Sequence, residues 1–226
     1  MKKLNENKAL VIFSGGQDST TCLGWALKKW GKKQLIAVTF DYGQRHKVEI
    51  KVAKQIVKRL GIKHKIFKFD LFSKLGDSAL VRAKKSITGK VDRLPVTFVP
   101  GRNIMFLSIA SAIAYKNNIA NIVIGVSCVD YSAYPDCRAE FVKSMRTSLA
   151  KGLDSNLKIH APIIMKTKAE TFLLAQKCGV LEETMESHTC YDGDRSKRNP
   201  WGYGCGKCLA CKLRRKGYNE FLRIRK

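Results

Sequence analysis

Ala9-Leu10-Val11-Ile12-Phe13-Ser14-Gly15-Gly16-Gln17-Asp18-Ser19-Thr20 decides how the chain is read. Val11, Ile12 and Phe13 are β-branched or aromatic, and so short an apolar run stopped by Gly-Gly predicts a strand buried on both faces. A helix should begin just beyond it. Two adjacent glycines allow a tight turn and let an anion approach the main chain, because no Cβ intervenes. Ser14, Asp18, Ser19 and Thr20 add hydroxyls and a cap at the helix N-terminus, where unpaired N–H groups and the helix dipole favour phosphate. The stretch has the chemistry of a pyrophosphate cradle. It is not a Walker loop, since the G-x-x-x-x-G-K-[ST] spacing occurs nowhere in the chain. An ordinary glycine turn is the competing reading, and the ordered run of polar residues weighs against it.

Outward from this stretch, strands and helices alternate. Ser19 to Trp30 reads as the helix after the cradle, closed by Gly31, with Cys22 as a small core residue. Leu35 to Phe40 is a second buried strand. Val48, Val52, Ala53, Ile56, Val57 and Leu60 recur at helical spacing over Lys47 to Leu60, and Gly61 ends that helix. Lys65 to Leu71 is a third strand. Short connections between alternating elements imply a doubly wound α/β domain: a mostly parallel sheet with helices on both faces and ligands at the carboxyl ends of its strands.

Residues 73–97 have weak periodicity and fit either a lid or a solvated connection. Val99-Pro100-Gly101-Arg102-Asn103 leads into Ile104 to Tyr115, apolar almost all round, which predicts a centrally buried helix with Arg102 placed to meet an anion. Asn121 to Val126 is the fourth strand. The loop at its carboxyl end carries Asp130, Tyr131, Tyr134, Asp136, Arg138 and Glu140. Such residues can stack on a planar heterocycle and accept hydrogen bonds from its N–H groups. A helix follows over Phe141 to Ala150, then a strand over Lys158 to Ile164. Thr167 and Glu170 form a capping box opening Lys168 to Cys178. Lys166 and Lys168 fit either phosphate contact or an ordinary surface.

Cys205-Gly206-Lys207-Cys208-Leu209-Ala210-Cys211, preceded by Cys190, is the second strong signal. Four thiolates at this spacing suit a closed tetrahedral Zn²⁺ site. An iron–sulfur cluster competes, although Lys212-Leu213-Arg214-Arg215 replaces the continuation of the bacterial ferredoxin run. His188 is an alternative fourth ligand to Cys190. The cluster would pin a basic terminal helix, Leu209 to Ile224, and metal binding would supply folding energy for it.

The 226 residues carry a formal charge of +25, with 45% hydrophobic content and eight cysteines. One main domain is expected, over 1–186, with the four-cysteine segment 187–226 packed on it. No segment approaches the ~20 apolar residues of a membrane span. The chain is therefore expected in the cytoplasm, with its cysteines as thiols or metal ligands. The lysines are scattered, so the charge reads as solvation and steering, and no nucleic-acid partner is expected. A homodimer is left open.

SGGxDS after a strand resembles the PP-loop of the ATP pyrophosphatase superfamily. Together SGGQDSTT, FDYGQRH, VPGRN, VDYSAYPDCRAEF and the terminal C...CGKCxxCxLR resemble the 7-cyano-7-deazaguanine synthases of the queuosine precursor pathway over nearly the whole chain. The resemblance implies that ATP and Mg²⁺ activate the carboxylate of 7-carboxy-7-deazaguanine, that ammonia converts it to an amide, and that further ATP drives dehydration to the nitrile. Carried over by position, Ser14, Gly15, Gly16, Gln17, Asp18, Ser19 and Thr20 hold phosphates, with Asp18 near Mg²⁺. Tyr131 to Glu140 border the deazaguanine, and Cys190, Cys205, Cys208 and Cys211 bind Zn²⁺. Charge developing on the phosphates needs cations, which Arg102 and Lys168 would supply. A PP-loop enzyme modifying tRNA directly and a non-catalytic zinc-ribbon nucleic-acid-binding protein are the alternatives.

Overall fold

The first apolar run extends further back than its composition suggests: strand β1 spans Asn5–Ile12 and lies at the centre of a five-stranded sheet in the order β3-β2-β1-β6-β7. The structure is a computed structural model that describes residues 1–70, 72, 78, 80, 90–91, 94–129 and 134–225, the side chains of 90 and 91 excepted. Strands β2 (Leu35–Asp41), β3 (Lys63–Lys68), β6 (Ile119–Val123) and β7 (Lys158–His160) complete the sheet, and every pairing within it is parallel. Two small antiparallel hairpins stand apart, β4 (Lys90–Val91) with β5 (Leu94–Pro95) and β8 (Arg198–Asn199) with β9 (Gly202–Tyr203).

Successive side chains of a strand point to opposite faces. In β1 and just beyond it, Leu10 and Ile12 belong to one buried cluster, whereas Ala9, Val11 and Phe13 belong to another. Helices α1 (Gln17–Trp30) and α2 (Val48–Leu60) cover the second face, with Leu23, Val52 and Ile56 in that cluster. Helices α3 (Arg102–Lys116) and α4 (Ala139–Gly152) supply Leu107 and Val142 to the first. This is the doubly wound arrangement expected from the alternation of elements.

Helix α5 (Lys168–Lys177) opens on the complete Thr167–Glu170 capping box. Helices α6 (Leu181–Glu186) and α7 (Leu209–Ile224) then fold back over α5, burying Phe172, Met185 and Phe221 together. Gly217 sits directly on α5, where an added Cβ would lie 2.3 Å from the Cβ of Lys168.

The third and fourth strands start and stop earlier than expected, at Lys63–Lys68 in place of 65–71 and Ile119–Val123 in place of 121–126, and two further expectations need correction. Helix α3 is not buried all round: it buries Leu107, Ala110, Ser111 and Ala114, while Ile104 is 46% exposed. An apolar composition without a strong stripe hid which side faces the sheet. Strand β7 stops at His160, because Ile164 and Lys166 donate main-chain bonds to Ala161 and Ile163 and turn the chain there. Most of the 73–97 segment lies outside the described residues.

Candidate functional site

A cavity of about 280 Å³ opens at the carboxyl ends of β1, β2 and β6, beside the point where the chain order reverses in the sheet. Its floor is the cradle. Phe13 N–H donates to Val38 O (2.8 Å) and Thr39 Oγ1 to Phe13 O (2.6 Å), fixing the strand end to β2. Gly15 has φ +81°, and a Cβ there would stand 2.9 Å from both Ala53 N and Glu49 O. The loop therefore rests on the main chain of α2 at a position only glycine fills. Ser14 Oγ accepts from Gly16 N–H (3.2 Å) and lies 3.0 Å from Ser19 Oγ, which in turn donates to Gly16 O at 3.1 Å. These bonds shape the loop while leaving the first-turn N–H groups of α1 without partners inside the helix. Thr20 is fully buried and its hydroxyl donates to Gly16 O (2.8 Å), so it closes the turn and is turned away from the cavity.

Lys168 Nζ, carried at the first position of α5, donates to both oxygens of Asp18 at 2.8 and 2.7 Å. Both residues line the cavity, and the crossing of α7 at Gly217 is what buries the lysine stem. At the other side stands Arg102, at the start of α3. Burial works against its charge, but Tyr42, Asp136 and Cys137 outweigh this and hold its pKa above the usual range. Glu49, in the first turn of α2, also lines the cavity. Desolvation raises its carboxyl to about 7, with Arg102 pulling the other way. Tyr42 is likewise pushed up, by burial first and against the pull of Arg102.

Tyr134 lines the far end; its Oη is 2.5 Å from Thr97 Oγ1 and its ring stacks on Phe98 at 6.0 Å. Asp136 is buried behind it and is tied to Asn103, which donates N–H to Oδ2 (3.3 Å) and Nδ2 to the Asp136 carbonyl (3.0 Å). Burial and the neighbouring Asp136 push the Cys137 thiol up to about 12, so this cavity cysteine stays protonated. Arg138 and Glu140 lie 3.7 Å apart at the exposed start of α4 and are not brought to the cavity wall. Asp130 and Tyr131 lie outside the described residues.

The segment after α6 supplies groups that the sequence alone did not mark. His188 N–H donates to Gly15 O at 2.9 Å, and its buried ring lines the cavity with neither nitrogen hydrogen-bonded among the described residues. Desolvation lowers its pKa to about 4. Arg214 of α7, 1% exposed, holds this segment by donating to Thr184 O (2.6 Å), Met185 O (3.2 Å), Ser187 O (3.1 Å) and Thr189 Oγ1 (3.0 Å). His46 Nε2 reaches Tyr191 O at 2.9 Å. Neither Glu49 nor His188 is marked for this cavity by the sequence: Glu49 has no motif around it, and His188 stands there only as an alternative metal ligand.

Two residues beyond His188 the metal-type cluster begins. Cys190, Cys205, Cys208 and Cys211 bring their sulfurs within 4.8 Å of one another, with Cys190–Cys208 at 4.0 Å and Cys205–Cys211 at 3.9 Å. Tetrahedral zinc with Zn–S bonds of about 2.3 Å sets its sulfurs roughly 3.8 Å apart, so the donor set fits. A cubane cluster, with each thiolate on a separate corner iron, would spread them further. His188 is not part of this group. Hydrogen bonds from Cys190 and then Cys211 draw the Cys208 thiol down, while Cys190 and Cys208 hold Cys211 up, so the clustered thiols favour an ionised Cys208 of the kind a metal requires.

Comparison with known proteins agrees along the length of the chain. The family model for queuosine biosynthesis protein QueC matches residues 8–222. A 7-cyano-7-deazaguanine synthase of Wolinella succinogenes is 51% identical over 223 residues, covering 96% of this chain and 95% of that protein. One of Clostridium acetobutylicum is 46% identical over 226 residues, covering 99% and 98%. Among solved structures, the U34-tRNA thiolase NcsA of Methanococcus maripaludis with its [4Fe-4S] cluster shares the fold at TM-score 0.50 and 18% identity, over 98% of this chain and 67% of that one. On the family match and the full-length identity, the chain belongs to the queuosine biosynthesis family of 7-cyano-7-deazaguanine synthases.

Proposed function

We propose that this cavity converts 7-carboxy-7-deazaguanine and ammonia to 7-cyano-7-deazaguanine at the expense of ATP, through an adenylated carboxylate and an amide. The observation that carries the reading is the meeting of an anion cradle, the Lys168–Asp18 pair and Arg102 in one cavity. A carboxylate is a poor electrophile, and joining it to AMP turns its oxygen into a leaving group. The cradle residues Ser14, Gly16, Gln17 and Ser19 line the cavity and would hold the phosphates on main-chain N–H groups and hydroxyls. Lys168 would exchange Asp18 for a phosphate oxygen, freeing the carboxylate to hold Mg²⁺. Bound there, Mg²⁺ neutralises charge developing on the phosphates. Arg102 supplies a fixed cation toward the substrate carboxylate.

Tyr134, with Phe98 stacked on it, offers an aromatic wall for the heterocycle. Asp136 would act through Asn103, positioning the start of α3. Zn²⁺ would be held by the four cysteines and would pin 187–226 to the α/β domain, taking no part in the chemistry. No helix among the described residues is long and apolar enough to cross a membrane, consistent with work in the cytoplasm. The test is nucleotide analysis. AMP and pyrophosphate should appear when 7-carboxy-7-deazaguanine is added, and ATP cleavage indifferent to that compound would overturn the reading.

A further inference from the structure

We propose that Glu49 binds the incoming ammonium and takes its first proton. The inference rests on the adenylation reading above and adds the residue that delivers the nitrogen.

At neutral pH the nitrogen donor is mostly ammonium, whose lone pair is occupied. Amide formation needs a site that attracts this cation and accepts a proton beside the activated carbonyl. The described carboxylates lining the cavity are Asp18 and Glu49. Both oxygens of Asp18 are taken by Lys168 in the free cavity and would be taken by Mg²⁺ once nucleotide is bound, and a cation-neutralised carboxylate does not attract ammonium. The Glu49 carboxylate has no hydrogen bond and no ion pair within 4 Å among the described residues; Arg102 acts on it from farther away. The cavity histidines, His46 and His188, carry no negative charge with which to hold ammonium, and His46 Nε2 already reaches Tyr191 O.

Position agrees with charge. The main-chain carbonyl of Glu49 lies against Gly15 of the cradle, while its side chain is within electrostatic reach of Tyr42 and Arg102 at the opposite wall. It therefore stands where the phosphate end meets the acyl end. The charged and titratable groups that line the cavity with it are Arg102 from α3, Tyr42, Arg45 and His46 from the β2–α2 connection, Tyr134 and Cys137 ahead of α4, Asp18 with Lys168 from α1 and α5, and His188 and Tyr191 after α6; of these Arg102 is the one whose charge acts on the Glu49 carboxyl. A carboxyl desolvated to about 7 is well matched to a proton exchanged near neutrality.

The step balances. Ammonium gives one proton to the Glu49 carboxylate and becomes ammonia. Its lone pair forms the C–N bond at the acyl carbon, and the C–O bond to AMP breaks with the electron pair leaving on the phosphate oxygen. The extra proton on the new C–N nitrogen passes to that phosphate. Glu49 then returns its proton to water.

The test separates nitrogen delivery from activation. For wild type, Glu49→Gln and Glu49→Asp, three readouts are compared at neutral pH: exchange of pyrophosphate into ATP dependent on 7-carboxy-7-deazaguanine, amide and nitrile formation with ammonium, and hydroxamate formation with hydroxylamine, which is largely unprotonated. Glu49→Gln should keep exchange and hydroxamate formation within about threefold while losing roughly 100-fold with ammonium, the scale of a general base. Glu49→Asp, which keeps the carboxylate, should recover part of that loss. Normal ammonium turnover in Glu49→Gln overturns the proposal. So does equal loss of all three activities in Glu49→Gln, and so does a Glu49→Asp variant that keeps exchange but recovers no ammonium turnover. Wild type lacking exchange fails the adenylation reading itself, and with it this proposal.

Discussion

Lys168 Nζ holds both oxygens of Asp18, at 2.8 and 2.7 Å, although the two residues are 150 positions apart in sequence. The lysine is 8% exposed and the aspartate 29%, so the pair sits at the cavity edge with its lysine side sealed. Lys168→Met should therefore do two things. It removes the cation proposed to meet the phosphates, costing at least about 100-fold in turnover. It also leaves Asp18 partly buried and unpaired, costing on the order of 1 kcal/mol because solvent still reaches the carboxylate. Asp18→Ala should abolish turnover with the fold intact by circular dichroism. Near-normal nitrile formation by either variant would remove the pair from the chemistry.

Gly217 explains why that lysine is held so firmly. A methyl group there would meet Lys168 Cβ at 2.3 Å and the Lys168 carbonyl carbon at 3.0 Å. Gly217→Ala should push α7 away from α5, destabilising the protein by about 1–3 kcal/mol as overpacking does. The loss should reach the cavity as weaker ATP binding by calorimetry. Unchanged stability and ATP affinity would show that α7 does not position Lys168.

The cysteine cluster should be coupled to the cradle through His188, whose N–H bonds Gly15 O while Cys190 lies two residues on. Cys208→Ala is expected to lower zinc content, melting temperature and ATP affinity together, as binding energy and folding energy are shared in such segments. Retention of a full zinc equivalent would refute the ligand set. Loss of zinc with unaltered ATP affinity would refute the coupling.

The ammonium-dependent rate should depend on Glu49 being ionised. Its carboxyl is raised by desolvation to about 7, so the active form is lost as pH falls through that value. At saturating substrates and fixed total ammonium the wild-type rate should fall about tenfold per unit below a break near 7, whereas Glu49→Gln, left with free ammonia, should lose that break and keep rising toward about pH 9. Arg102 stays charged and Tyr42, raised by burial, stays neutral across the window, so neither produces it. An acid limb unchanged in Glu49→Gln would assign the titration elsewhere.

Much of this architecture is legible from local chemistry. Gly-Gly after an apolar run marks the cradle, Thr167 with Glu170 marks the α5 start, and Leu209 to Ile224 is read to the residue as α7. What escapes is whatever depends on long-range packing. Glu49 is unremarkable until Gly15 rests on its carbonyl and Arg102 approaches from α3. Arg214 looks like one basic residue among many, yet it is buried and satisfies four acceptors, Thr184 O, Met185 O, Ser187 O and Thr189 Oγ1. Arg138 and Glu140 share a sequence motif with Tyr134 and Asp136, but the helix start carries them to the surface. Their adjacency in sequence suggests a shared pocket, but the cavity is lined by Tyr134 and Cys137 and not by Arg138 or Glu140.

The central claim is that this cavity turns a carboxylate into a nitrile. Mass spectrometry after incubation with ATP, Mg²⁺, ammonium and 7-carboxy-7-deazaguanine tests it most directly. The account predicts the amide first and then 7-cyano-7-deazaguanine, each carrying nitrogen from labelled ammonium. Recovery of unchanged 7-carboxy-7-deazaguanine with ATP intact would contradict it.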